Sequence, residues 1–334
     1  MTGERRPGRD KAETRAVALA GWGVLTLWSG TAIANKIAVG HMDAMTAGVL
    51  RSLLAGLIAV AIALLWRLPF PKQAAQRGLL ALSGIASFAV WPLLFSLGLG
   101  MTTAAHAALI MAMIPAFTGL IAAAFERRRP RLGWWLGVAL AGVGTLLLVI
   151  QRNGDAVLGD GASATGDLLI LSGAAICALG YVAGGRLSPI IGNGATTFWG
   201  LAIATTILIP TFLWLAPRTN WAAVGVPGWS SIAYLVFMSS LLGYAGWFWA
   251  LGRGGIARVG AWQFAQPVMT LALAAALLGE EITLPLLLDA AAIIVGTALA
   301  QRAAHPRHRD AVPLTAAHPR RTDAAQLTTA RPED

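Results

Sequence analysis

Charge is scarce in this chain. Asp, Glu, Lys and Arg together make up 12% of its 334 residues, about half the share of a soluble domain. With 57% hydrophobic residues and a mean hydropathy of +0.67, that paucity excludes a disordered chain and an ordinary water-soluble enzyme. Cysteine is nearly absent. The single Cys177 allows no internal disulfide and no thiolate cluster, and within its apolar run it reads as a small core residue. No G-x-x-x-x-G-K-[ST] phosphate loop, H-E-x-x-H pair or nucleophile elbow occurs, which removes ATP-driven pumping and the common hydrolases. The five histidines are too dispersed for a metal site. No catalytic residue, no metal and no cofactor is expected.

What the chain has is long uncharged stretches. They run approximately from Ala16 to Val39, Ala44 to Trp66, Gly78 to Gly100, Thr102 to Phe125 and Leu132 to Ile150. Five more run from Leu168 to Ser188, Ala195 to Leu215, Gly228 to Leu251, Ile256 to Leu278 and Leu284 to Ala300. Each is close to the roughly 20 residues that cross a hydrocarbon core of about 30 Å. Backbone polar groups find no water there, and without period-2 alternation the segments must be helices. The expectation is an all-α integral membrane protein with ten spans.

The net charge of +10 lies between the runs and at the tails, so it speaks for orientation and not for nucleic acid. With the N-terminus inside, the inner segments hold 21 of the 25 lysines and arginines; only Arg152 and Arg218 lie in outer loops, with Lys36 and Arg51 inside spans. Both termini are therefore expected in the cytoplasm. The first run is too long for a cleavable signal peptide and lacks a small-residue cleavage site. The expected organisation is a cytoplasmic segment 1–15, a five-helix repeat 16–152, an extracytoplasmic linker 153–166, a second repeat 167–302 and a disordered, Ala-, Pro-, Thr- and Arg-rich tail 303–334.

The two halves correspond. At an offset of 152, Pro115 falls on Pro267, Gly100 on Gly252 and Gly144-Thr145 on Gly296-Thr297; at an offset of 150, Gly30 falls on Gly180 and Lys36 on Arg186. Five spans per half is odd, so the second copy enters the membrane from the opposite side. Such inverted repeats build many secondary transporters, with the substrate near the midplane between the halves.

The stretch QPVMTLALAAALLGEEITLPLLL (Gln266–Leu288) resembles the end of an EamA domain, where a helix with an early proline runs to a Gly-Glu turn, here Gly279-Glu280. RSLLAGL (Arg51–Leu57) is similar to that family's Arg-led second helix, and LWSGTAIANK (Leu27–Lys36) to its first. The resemblance covers both halves, roughly residues 16–302, and implies the drug/metabolite transporter superfamily. Its ten-helix members move small metabolites and are often exporters; aromatic amino-acid exporters of the YddG type are the branch it suggests. Asp289 stands where the family has glycine, while its first-half counterpart Gly137 keeps it, and Leu201 stands opposite Arg51.

Ionisable groups inside spans are costly and mark function by default. By helical rise, Arg51 lies about 12 Å, Asp289 about 9 Å and His106 about 7 Å below the outer surface. They read either as an ion pair of Arg51 with Asp289 or as a proton path through Asp289 and His106. Lys36 and Arg186 near span ends snorkel to the interface, or Lys36 binds a substrate carboxylate. Pro115 and Pro267 kink their spans and free carbonyls, which suits a cavity lining. Gln263 and Gln266 beside the second kink offer amide groups to a polar ligand, or act as interhelical glue. Trp66, Trp134, Trp135, Trp214, Trp221 and Trp229 fall near span ends as interfacial indoles. Trp28, Trp91, Trp247, Trp249 and Trp262 lie deeper. Together with Tyr181 and Tyr244 they either wall an aromatic-friendly pocket or pack as core. The expected substrate-binding set is Trp28, Trp91, His106, Tyr181, Tyr244, Trp262, Gln263 and Gln266.

These residues point to a carrier in a bacterial inner membrane, a monomer or weak homodimer, with membrane lipids and a small-molecule substrate as its partners. Amino acids with aromatic or apolar side chains are the favoured cargo. The rivals are a drug or metabolite exporter without amino-acid preference, with or without proton coupling, an intramembrane lipid-modifying enzyme, and a receptor or scaffold.

Overall fold

The computed structural model describes residues 7–125, 127, 131–150, 163–254 and 262–304, and its regular elements are all helical. In chain order they are α1 (Pro7–His41), α2 (Ala44–Leu65), α3 (Ala74–Gly84), α4 (Trp91–Leu99), α5 (Ala104–Met111), α6 (Ile114–Phe125), α7 (Leu132–Ile150), α8 (Ala164–Ile191), α9 (Asn193–Leu215), α10 (Gly225–Ala233), α11 (Gly243–Gly254), α12 (Ala265–Leu278) and α13 (Leu284–Ala304). Seven continuous stretches are long and apolar enough to cross a membrane, and α7, α12 and α13 supply three shorter ones. These are the ten spans: α3–α4, α5–α6 and α10–α11 each make one, and every other helix is a span by itself. Helix α1 starts at Pro7, ahead of the apolar run, because the backbone ladder continues into polar sequence. The expected linker up to residue 162, the start of the ninth run and the tail from residue 305 lie outside the described residues.

The halves are related by a pseudo-two-fold axis. Helix α2 packs on its counterpart α9, and α7 on its counterpart α13; α1 packs on α10, α11 and α12, and α8 reciprocally on the equivalent α3, α4, α5 and α6. The equivalent helices run antiparallel. Gly137 faces Gly296 and Ala300, whereas Gly144, further along α7, faces Asp289, Ala292 and Ile293. A Cβ added to Gly137 would lie 2.6 Å from the Gly296 carbonyl oxygen, and one added to Gly296 would lie 2.6 Å from the Gly137 carbonyl oxygen. In lipid, helices associate by close packing, and two facing glycines let the backbones touch. Reciprocal antiparallel contacts of this kind are what an inverted repeat produces.

Capping residues start several helices. The Asp43 carboxylate accepts from the Thr46 amide (3.0 Å), the Thr103 hydroxyl from the His106 amide (3.3 Å) and the Ser163 hydroxyl from the Gly166 amide (3.1 Å). The α8–α9 turn and the end of α12 use Gly192 and Gly279 at φ of 88° and 68°, a region that L side chains rarely adopt. Large apolar side chains such as Leu57, Leu136, Leu213 and Leu277 point outward, as expected where the solvent is hydrocarbon. Trp66, Trp135, Trp214 and Trp229 are exposed near span ends. Trp134 departs from that group: it is buried, stacked edge-on against Trp135 with its indole nitrogen against Gly119, because the glycine leaves room for the ring.

Three spans are broken where they meet the centre of the molecule. Two π-helical segments, Ile85–Val90 and Tyr234–Leu242, join α3 to α4 and α10 to α11 at equivalent positions of the two halves. Pro115 separates α5 from α6, since it has no amide to continue the ladder. Pro267, its symmetry mate, follows a 3₁₀ turn at Trp262–Phe264.

Candidate functional site

The second π segment, the Pro115 break and the 3₁₀ turn before Pro267 border one cavity of about 350 Å³, and Trp91, directly after the first π segment, borders it too; its volume is within the range of small-molecule sites. Its position is mid-span: residues 28–32 of α1, 108–118 across the α5–α6 break, Tyr181 of α8 and Ser239–Tyr244 of the second π segment contribute to its wall. One side is aromatic. Trp28 meets Tyr244 edge-on at 5.6 Å between ring centroids, and Tyr244 meets Phe88 edge-on at 5.5 Å; Trp91, held against Phe95 at 4.9 Å, and Tyr181 complete that wall. Each ring carries a positive edge and a negative face, so such a wall accepts apolar and aromatic groups in defined orientations.

Polar groups line the same space. Gln263 and Gln266 reach it from the 3₁₀ turn and the first turn of α12, with Thr270 one turn on and Thr297 from α13. Backbone carbonyls beside the breaks accept hydroxyl donors. Ala112, at the α5–α6 break, receives the Thr297 hydroxyl at 3.3 Å, and the carbonyl of Gln266, next to Pro267, receives the hydroxyls of Thr270 (3.0 Å) and Ser29 (3.4 Å). In the second π segment, Ser239 accepts from the Trp28 indole through its carbonyl (2.9 Å) and shares a 2.8 Å hydroxyl–hydroxyl bond with Thr31. The indole is thereby fixed in orientation. Arg51 of α2 is the only charged residue on this wall among the described residues, and it interacts electrostatically with Tyr244.

A second polar cluster closes one end of the bundle, where the segments 100–103, 163–167 and 279–283 meet. Against an ionised Asp167, His106 Nδ1–H donates to Oδ2 at 2.9 Å, and the Thr102 hydroxyl donates to Oδ1 at 2.5 Å. Asp167 is fully buried. The Glu280 carboxylate accepts from the amides of Ala104 and Ala105 at 2.7 and 2.8 Å, so it caps α5 from a distant loop where the helix dipole favours negative charge. Lys36 Nζ donates to the carbonyls of Leu99 (3.0 Å) and Thr102 (2.8 Å), the placement that suits a cation at the end of α4. The Ser163 amide donates to the Met101 carbonyl at 2.6 Å. Cation, carboxylates and backbone thus stitch three loops together.

Of the eight expected binding residues, Trp28, Trp91, Tyr181, Tyr244, Gln263 and Gln266 line the cavity, as do both kink prolines Pro115 and Pro267. Two do not. His106 faces Asp167 in the end cluster, because α5 begins at Ala104 and presents that turn to α8. Trp262 stacks on Trp22 at 5.8 Å and covers Gly21, where a missing Cβ leaves space for an indole. The expected pairing of Arg51 with Asp289 is also absent. Arg51 faces the cavity, whereas Asp289 is buried on α13 near the α7 contact, with Oδ2 unpartnered among the described residues. Lys36 is committed to backbone carbonyls and does not line the cavity. Of the deeper tryptophans, Trp247 buttresses Trp28 from behind at 5.3 Å, and Trp249 is exposed beneath Arg253. Sequence reasoning missed Asp167, Thr31, Ser239 and Ser240. Asp167 sits one residue ahead of an apolar run and read as loop; only the Ser163 cap, which starts the helix earlier, marks it as inside.

A mid-span chamber between two antiparallel, pseudo-symmetric halves, with polar groups converging on an apolar wall, defines a membrane carrier. The chain belongs to the EamA-like transporter family of the drug/metabolite transporter superfamily, which it matches over residues 16–150 and again over 164–301. It is 34% identical to the uncharacterized transporter YdeK of Bacillus subtilis (strain 168), over 84% of this chain and 95% of that protein. It is 27% identical to a probable terminal-alkyne amino-acid exporter of Streptantibioticus cattleyicolor, over 70% of this chain and 76% of that one. A solved crystal structure shares the fold with a TM-score of 0.57 and 19% identity, covering 87% of this chain and 98% of its own. The protein is thus a multi-span transporter of small molecules and not an enzyme.

Proposed function

We propose that this transporter exports small amphipathic metabolites, foremost amino acids with aromatic or apolar side chains, across a bacterial inner membrane with both termini in the cytoplasm. The observation that carries this reading is the mixed lining of the cavity: aromatic rings from Trp28, Trp91, Tyr181 and Tyr244 and the side chains of Gln263 and Gln266 border the same space of about 350 Å³. An apolar side chain suits the rings and the polar backbone of an amino acid suits the amides. The relative named as a probable amino-acid exporter lends support. Transport proceeds by alternating access. The two halves rock about the chamber, and the end cluster around Asp167 and Glu280 opens and closes one exit.

Counterflow in proteoliposomes tests this. Vesicles loaded with one unlabelled amino acid at a time, without an ion gradient, are assayed for uptake of the labelled form. Uptake with phenylalanine, tryptophan or leucine, lost on Gln266→Ala, is the expected result. Failure of every amino acid, with efflux of unrelated drugs intact, would replace the reading by a drug exporter without amino-acid preference.

A further inference from the structure

Arg51 sits near the middle of the membrane, more than nine-tenths buried, on the wall of the chamber. Among the described residues the chamber wall carries no Asp or Glu, and the hydrogen-bonded pair of His106 and Asp167 lies elsewhere. Tyr244, its electrostatic neighbour, supplies a phenolic oxygen that is neutral in its ordinary state. No hydrogen bond of the guanidinium to another described residue is formed, yet its nitrogens are not sealed from solvent-accessible space. A guanidinium has five donors in a rigid planar fork and stays charged under all physiological conditions. Buried without a partner, it is a costly arrangement that persists where a ligand repeatedly completes it.

We propose that Arg51 is the anion anchor of the chamber and that the transported class is defined by a carboxylate joined to an apolar or aromatic tail. The carboxylate takes two donors of the guanidinium side by side, and the tail lies along the aromatic wall. This deepens the preceding reading and rests on its choice of chamber, but it separates the two charges of an amino acid. The carboxylate is required. The ammonium finds only hydroxyls, amide oxygens and ring faces on the described wall, and is dispensable. Apolar monocarboxylates lacking an amino group therefore belong to the same substrate class, and amines lacking a carboxylate are excluded, because they would place a second cation beside Arg51.

The test uses the full-length protein in detergent and a charge series on one scaffold: phenylalanine, 3-phenylpropanoate, phenethylamine and the neutral 3-phenylpropanol, with leucine and 4-methylpentanoate as the aliphatic pair. Binding is read by the fluorescence of the chamber tryptophans, and transport by inhibition of counterflow. Both carboxylates of a pair are expected to bind and phenethylamine not. Arg51→Gln should weaken carboxylate binding on the order of 10- to 100-fold while leaving 3-phenylpropanol as before, with Arg51→Lys intermediate. If Arg51→Gln does not fold, the charge series on the unaltered protein decides alone. Binding of 3-phenylpropanoate in an Arg51-dependent way, with no amino acid carried, would sustain the anchor and sink the amino-acid reading. Amino acids carried equally by Arg51→Gln, phenethylamine binding as tightly as 3-phenylpropanoate, or no carboxylate bound at all would overturn the anchor.

Discussion

At the scale of single residues, the buried pair of His106 and Asp167 illustrates how position changes meaning. A histidine inside a span reads as a ligand group, yet here its ring nitrogen and the Thr102 hydroxyl together occupy both oxygens of a carboxylate with no exposed surface. Removing the carboxylate strands two buried donors in a low dielectric, which costs about 1–3 kcal/mol for each. Asp167→Ala should therefore lower the unfolding free energy in detergent by that order, and Asp167→Asn, which still accepts from Thr102, by clearly less. A cost under about 1 kcal/mol, the typical net worth of one hydrogen bond, would mean that the pair is not a structural clasp. Glu280 makes a related case. Its carboxylate caps α5 through the amides of Ala104 and Ala105, so Glu280→Ala should cost about 1–2 kcal/mol in the same assay, with Glu280→Gln recovering part of it.

At the scale of elements, the second π segment and the breaks at Pro115 and before Pro267 supply residues to the chamber wall. The π segments and proline breaks free backbone acceptors that a regular helix would consume, and such backbone survives in a membrane only where protein or a cavity receives it. Close helix contacts lie elsewhere. Helices α7 and α13 touch through Gly137 and Gly296, with no room for a Cβ on either, whereas Gly142 on the same helix meets nothing within 4 Å. Gly137→Leu or Gly296→Leu should separate the helices and destabilise the fold by about 1–3 kcal/mol or more, read as earlier aggregation on heating in detergent. Gly142→Leu should leave the melting profile unchanged. Equal effects at all three positions would contradict the close contact.

At the scale of the whole molecule, the pseudo-two-fold arrangement supplies two related states, and one end of the bundle is clasped. Ser163 bonds Met101 across that end. A cysteine pair at Met101→Cys and Ser163→Cys, oxidised in proteoliposomes, should stop counterflow and regain it on reduction, if the clasp must open in each cycle. The background is favourable, because the native Cys177 is buried. Undiminished counterflow after complete cross-linking would place the exit elsewhere.

Much was legible in the residues themselves. The ten spans, the odd number per half and the repeat that pairs Pro115 with Pro267 all rest on local features: run length, hydropathy and the missing proline amide. Most of the aromatic and amide lining was legible for the same reason, since polar and aromatic groups in the middle of an apolar run are conspicuous. The partners of charged groups were not. In hydrocarbon a helix is apolar all round, so its sequence scarcely distinguishes the face turned to lipid from the face turned to protein, and the direction of His106, Trp262 and Asp289 stayed hidden. Depth along the membrane follows from counting residues, but azimuth does not. Only the tertiary structure decided that Arg51 faces a chamber and not Asp289, because that depends on how α2 is rotated against α9 and α4 by packing between residues far apart in the chain.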